Sequence, residues 1–157
     1  MIEKKSIAAG GRISLKTVNQ DFVLVEYLEA LDATFLVVAD GVGSSSYAEI
    51  ASQFVCEHLL ESIQQIEDIH SIDFTALFRT VQENLCTKFE TEDQENVNIE
   101  NAYATTVICC LETSSEFIIA YVGNGGIFHI RGDFNSFPDR FYLPWNAINL
   151  LNPHSRE

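Results

Sequence analysis

The chain has 157 residues, 46% of them hydrophobic and 20% charged, which suits one globular domain with a sizeable core and excludes a disordered chain. Its net charge of −14 disfavours nucleic acid and anionic membrane as partners, because both require a basic face. The same field repels a phosphate-bearing substrate unless something local reverses it. No apolar run approaches the about 18 residues of a membrane span, and the start, Met-Ile-Glu-Lys-Lys, lacks the apolar core of a secretory signal. Cys56, Cys86, Cys109 and Cys110 form no Cys-x-x-Cys pair, so they are expected to be reduced core residues of a cytoplasmic protein.

In chain order, Phe22–Leu28 and Thr34–Ala39 are rich in Val, Phe and Leu and are predicted as strands, joined through Glu29–Ala33 into a hairpin. From Tyr47 to Ile66 the apolar residues Ile50, Ala51, Phe54, Val55, Leu59, Ile63 and Ile66 recur at helical spacing, and Ser44, Ser45 and Ser46 offer N-cap oxygens ahead of them. A second helix is predicted from Asp73 to Phe89, with Phe74, Leu77, Phe78, Val81, Leu85 and Phe89 as its apolar face. The acidic stretch Glu90–Glu100 is expected to be a solvated loop. Ala104–Leu111, Phe117–Val122 and Ile127–Ile130 are three more strands, and Asn124-Gly125 between the last two is a hairpin-turn signal. Strands, then two helices, then strands predict an α+β layered fold. Cys109 and Cys110, adjacent in a strand, should point to opposite faces.

The run Phe35–Ala39 ends on Asp40, followed by Gly41-Val42-Gly43. A buried strand that delivers a carboxylate to its end and then turns is a common way to build a site. If Leu28 pairs with Ala33, antiparallel pairing conserves the sum of paired residue numbers, and Asp21 and Asp40 share that sum. They should therefore lie side by side at the open end of the hairpin, with Cβ atoms roughly 4.5–5.5 Å apart. Two readings stand on spacing alone: a pair of solvated strand-end carboxylates, or a seat for a hard divalent cation such as Mg²⁺ or Mn²⁺, which relieves their repulsion. Gly41 and Gly43 would let the backbone turn and bring a carbonyl near such an ion. Gly41-Val-Gly-Ser is not a nucleotide P-loop, because no lysine follows.

These residues resemble the metal-dependent serine/threonine protein phosphatases of type 2C. Asn19-Gln20-Asp21-Phe22 is similar to the family's first block, and Val38–Gly43 with Ala48–Ser52 to its second block and the start of its long helix. Ala104-Thr105-Thr106 and Tyr121-Val122-Gly123-Asn124-Gly125-Gly126 resemble two further blocks, so the likeness runs from about Ser6 to Arg131. The resemblance implies a layered β-sandwich of antiparallel sheets flanked by helices, one phosphatase-like domain over residues 1–157, and hydrolysis of phosphoserine and phosphothreonine in proteins. It implies two Mn²⁺ or Mg²⁺ ions, with Asp40 bridging them, the Gly41 carbonyl on one and Asp21 on the other, which together activate a water for attack on phosphorus. Bound cations would also reverse the local field that repels phosphate.

The chain departs from the family pattern at three places. Lys16 stands where the family carries an arginine that grips the substrate phosphate, which keeps the charge but loses the bidentate fork, with Arg12 nearby. Asn124 stands where an aspartate helps bind a further metal, and asparagine is the poorer ligand. The later Asp-Gly and Asp-Asn blocks do not occur before Glu157, and Asp133 falls too early to replace them, so the chain reads as a domain cut partway. That pattern implies an alternative, a phosphatase-like binding or regulatory module without catalysis. Arg131-Gly132-Asp133 is expected to be a turn, Trp145 a buried anchor for the tail and His58 a filler at the core boundary. The spacing of His58, His70, His129 and His154 matches no zinc site, and no Gly-x-Ser-x-Gly elbow is present.

Overall fold

The computed structural model describes residues 18–92, 98–132 and 145–151. Among these, β1 (Asp21–Leu28), β2 (Ala33–Asp40), β3 (Val107–Glu112) and β4 (Phe117–Val122) form one antiparallel sheet in that order. Two helices, α1 (Ala48–Ile63) and α2 (Phe74–Glu92), separate its two hairpins in sequence, with a single helical turn, α3 (Ile99–Ala102), before β3. β5 (Phe128–Gly132) and β6 (Trp145–Asn149) form a separate two-stranded antiparallel sheet. The fold is the expected α+β combination of antiparallel sheets and helices. The chain divides into two compact units, Met1–Val122 and Gly123–Glu157.

The β1–β2 hairpin pairs residue for residue from Leu28 with Ala33 at its closed end to Asp21 with Asp40 at its open end. A single 3-10 turn, Glu29–Leu31, closes it, and Asp32 takes a left-handed conformation with φ 45°. A non-glycine residue in that region needs local support. The Tyr27 hydroxyl supplies it, donating to Asp32 Oδ1 at 2.5 Å. That hydrogen bond is also the main reason the Tyr27 phenol is held above its ordinary pKa.

Period-two alternation sorts the sheet into two faces. Ala33, Phe35, Val37 and Ala39 of β2 and Val107, Cys109 and Leu111 of β3 are buried on one face. α1 packs there across β1, β2 and β3, and α2 packs against α1. The helices contribute Ala51, Phe54, Val55, Cys56, Leu59 and Ile63 from α1 and Val81, Leu85 and Phe89 from α2. The second face is apolar too: Val23, Val25, Leu36, Ile108, Cys110 and Ile119 are partly buried there and Val38 is exposed. Apolar residues on both faces are why these strands appear in the sequence as unbroken hydrophobic runs.

Several expectations are corrected. No serine caps α1: Tyr47 occupies the N-cap position without a side-chain hydrogen bond, and its N–H donates to Ala102 O at 2.9 Å. Asp73, in contrast, caps α2 by accepting from Ala76 N at 3.0 Å. The acidic stretch is not wholly a loop, since α2 extends to Glu92 and α3 covers Ile99–Ala102, while residues 93–97 lie outside the described residues. Asn124-Gly125 does not close a hairpin. β4 pairs with β3 and β5 with β6, and the glycines flanking Asn124, at φ 96° and 151°, let the chain leave one sheet before joining another. Arg131 and Gly132 lie in β5, paired with Asn146 and Trp145, rather than in a turn, and Asp133 lies outside the described residues. β6 escapes the sequence reading because Asn146 and Asn149 interrupt its short apolar pattern. The expected burial of Trp145 concerns a side chain outside the described residues.

All four cysteines are free. Cys56 and Cys109 are buried, whereas Cys86 and Cys110 are only partly so, and Cys110 lies on the sheet face opposite Cys109. Burial pushes both Cys56 and Cys109 from 9.0 up to about 12, so neither forms thiolate near neutral pH. In the native protein at pH 8, iodoacetamide should therefore spare Cys56 and Cys109 and modify them only after urea is added, as peptide mass mapping would show. Labelling of either in the folded state would contradict their burial. Leu59, fully buried under the sheet, tests the core. Leu59→Ala should lower the free energy of urea unfolding by about 2–5 kcal/mol.

Candidate functional site

The open end of the β1–β2 hairpin brings Asp21 and Asp40 together as direct cross-strand partners. The Gly41 N–H donates to Gln20 O at 3.0 Å, which makes Gln20 and Gly41 a hydrogen-bonded pair. Antiparallel pairs alternate, so Asp21 and Asp40 form the non-hydrogen-bonded type, in which side chains approach most closely. By alternation both lie on the sheet face opposite α1, and both are exposed. Two like charges in that position repel unless a cation or proton intervenes.

Each aspartate is fixed through its backbone. Asn19 accepts from Asp21 N at 3.3 Å and donates from Nδ2 to Asp21 O at 3.1 Å, a local loop that starts the strand. On the other strand, Thr106 N donates to Asp40 O at 2.9 Å, and Thr106 Oγ1 lies 3.4 Å from both Asp40 N and Asp40 O. Sequence reasoning gives Thr106 no role, although it stands in the Ala104-Thr105-Thr106 block at the mouth of a strand. Gly41 pairs with Thr105 through an isolated bridge, continuing β2 past Asp40 to the segment before β3.

Gly41 serves differently from the expectation. Neither Gly41 nor Gly43 carries a positive φ. What Gly41 provides is absence of bulk: a Cβ there would lie 2.6 Å from Gln20 O and 2.8 Å from both Ala48 Cβ and Ala48 O. Its backbone is wedged between β1 and the first residue of α1. The loop from Gly41 to Tyr47 connects the Asp40 strand to the helix that covers the sheet.

The chemistry of the donor set fits a hard divalent cation. Two carboxylates on neighbouring strands offer oxygen ligands, and Mg²⁺ in particular is held by one or two carboxylates while retaining waters. Among the described residues, no group of three or more His, Cys, Asp and Glu side chains gathers as a metal-ligating cluster. Lys16 and Arg12 lie outside the described residues. Asn124 belongs to the second compact unit and is exposed. His58 stacks on Phe54 with ring centroids 3.6 Å apart, Nδ1 3.0 Å from Phe54 O, as a half-buried filler. His70 meets Glu116 at 3.3 Å on the surface.

The protein phosphatase 2C family model matches residues 11–139. No curated protein matches the sequence. Among solved structures, a bacterial serine phosphatase superposes with a TM-score of 0.64 at 19% identity, covering 89% of this chain and 51% of that one. A Streptococcus agalactiae serine/threonine phosphatase gives 0.59 at 19% identity, with 90% and 52% covered. The Mycobacterium tuberculosis serine/threonine phosphatase gives 0.57 at 17%, with 89% and 50% covered. The chain spans about half the length of these structures.

Replacing Gly41 tests the wedge. Gly41→Ala should destabilise the fold by about 1–3 kcal/mol, because the methyl meets backbone on two sides. Gly43→Ala, at an exposed site with an ordinary φ, should stay within about 0.5 kcal/mol of the parent. Urea unfolding of the two variants checks the contrast, and equal effects would mean that the crowding at Gly41 is not real.

Proposed function

The chain belongs to the protein phosphatase 2C family, and from that premise we propose that it hydrolyses phosphoserine and phosphothreonine in proteins with the help of Mn²⁺ or Mg²⁺. The observation that carries this reading is the direct pairing of Asp21 with Asp40 at the open end of the hairpin. Asp21, Asp40 and the Gly41 carbonyl would hold the ions. When bound, such ions supply positive charge for the phosphate and the acidity that makes water a nucleophile at neutral pH.

The chain's own residues do the rest. Asp21 and Asp40 are exposed, so a phosphoryl group on a protein surface can reach them. Thr106 and Gln20 hold the strand ends that carry them and keep both carboxylates on one face. Lys16 supplies a point charge for the substrate phosphate in a protein that is otherwise strongly acidic. Hydrolysis forms a bond from water oxygen to phosphorus and breaks the bond to the seryl or threonyl oxygen, which leaves with a proton. In this reading residues 1–157 serve one phosphatase-like domain. Four free cysteines suit a reducing compartment, and no helix among the described residues is long and apolar enough to cross a membrane.

A second reading is a phosphatase-like binding module without catalysis. It is favoured by Lys16 and Asn124, which stand where the family pattern has an arginine and an aspartate. Two measurements separate the readings. The enzyme reading expects Mn²⁺-dependent phosphate release from a phosphothreonine peptide, reduced to the no-protein background by Asp40→Ala and by Asp21→Ala. Parent activity no higher than that of Asp40→Ala defeats it. Calorimetry with Mn²⁺ should give two tightly bound ions for the enzyme, and one weak ion or none, with the fold intact, for the module.

A further inference from the structure

The loop that carries the ion seat into α1 is clamped by one short segment, Ala102–Thr106. Thr106 N donates to Asp40 O, Val42 N to Ala104 O and Tyr47 N to Ala102 O, each at 2.9 Å. Ser45 N closes the loop on itself by donating to Val42 O at 2.8 Å. Both ends of the loop therefore hang from five consecutive residues, and the large side chain among those five is Tyr103.

Tyr103 is 6% exposed, and its ring lies between two others. It stacks on Tyr47 with centroids 4.8 Å apart and planes inclined by 24°. On its other side it stacks on Phe89 of α2 at 4.2 Å and 14°. Phe89 in turn meets Phe54 of α1 edge-on at 5.9 Å, and the Lys88 ammonium sits 5.2 Å from the Phe54 centroid and 5.4 Å from that of Phe89. A column of rings thus joins the last residue of the site loop to both helices. Aromatic pairs prefer offset-stacked or edge-on arrangements, so the column has a preferred geometry.

We infer that Tyr103 is a positioning residue for the ion seat: wedged between Tyr47 and Phe89, it holds Ala102–Thr106 at the distance that keeps Asp40 and Gly41 opposite Asp21 and Gln20. It acts through the backbone clamp. The inference rests on the reading of Asp21 and Asp40 as a divalent-cation seat. A flat ring is what the stack requires. Aliphatic residues of similar volume fill the space but leave the loop free to shift. Residues that orient metal ligands from outside typically carry about 10–100-fold in metal affinity.

The test uses the full chain and its Tyr103→Phe, Tyr103→Leu and Tyr47→Leu variants, the last removing the partly buried partner of the stack should Tyr103→Leu fail to fold. Mn²⁺ affinity by calorimetry should be within about twofold of the parent for Tyr103→Phe and weaker by about tenfold or more for each leucine variant that folds. Parent-like affinity in a folded leucine variant, or a loss in Tyr103→Phe as large as in Tyr103→Leu, overturns the inference. Amide hydrogen exchange without metal gives a second arm. The leucine variants should speed exchange at Val42, Tyr47 and Thr106 while Phe35 and Val37 in β2 keep parent protection, with Tyr103→Phe like the parent. Unchanged exchange at those three amides overturns the inference as well. If the parent itself binds no Mn²⁺, the ion-seat reading fails, and the exchange arm still decides whether Tyr103 positions the loop.

Discussion

The register of the β1–β2 hairpin is the constraint on which the rest depends. A one-residue slip would turn Phe35, Val37 and Ala39 away from the helices and expose the core they build with Leu59 and Ile63. The tight closure at Glu29–Asp32, with its left-handed Asp32 held by Tyr27, fixes the same register from the other end. The register of the other seven pairs, fixed by burial of one face, thus dictates at the far end that two carboxylates stand together. No local interaction would choose that arrangement. The strands impose it, and like charges held together by a fold are the kind of local conflict that marks a site.

The segment 102–106 extends the same logic. It precedes β3, so its backbone is aligned by the β2–β3 ladder, and it reaches forward to hold the loop beyond Asp40. Clamp and aromatic column thus meet at the loop beyond Asp40, where the buried core ends. Net charge explains why this seat would need an ion rather than bare protein to receive phosphate. At −14, the chain offers a dianion little welcome except where positive charge is concentrated.

Much of this was legible in the sequence because it follows from periodicity. The unbroken apolar runs of β1 and β2, the helical spacing of Ile50 to Ile63 and of Phe74 to Phe89, and the hairpin arithmetic that pairs Asp21 with Asp40 all need only the composition and regular geometry of strands and helices. What escaped was set by contacts distant in sequence. Ser44–Ser46 have the right chemistry for a cap, but the Tyr47 N–H found a carbonyl at Ala102 instead. Asn124-Gly125 has the right chemistry for a hairpin, yet β5 pairs with β6, a partner hidden by its asparagines. Gly41 was noticeable as a glycine between Asp40 and Val42, but the reason for it, the close approach of Gln20 and Ala48, exists only once strand and helix have packed. The Tyr47–Tyr103–Phe89 stack likewise joins a loop, a pre-strand segment and a helix, and no spacing in one dimension announces it.

The proposed function requires a divalent cation at the strand-end pair of Asp21 and Asp40. Paramagnetic broadening of backbone amide signals by substoichiometric Mn²⁺ tests it most directly, because broadening falls off steeply with distance from the ion and requires no turnover. The amides of Asp21, Asp40 and Gly41 should disappear first in the parent protein and persist in Asp40→Asn at the same Mn²⁺ concentration. Broadening that begins elsewhere, for example around Glu67 and Asp68, or that survives unchanged in Asp40→Asn, would contradict it.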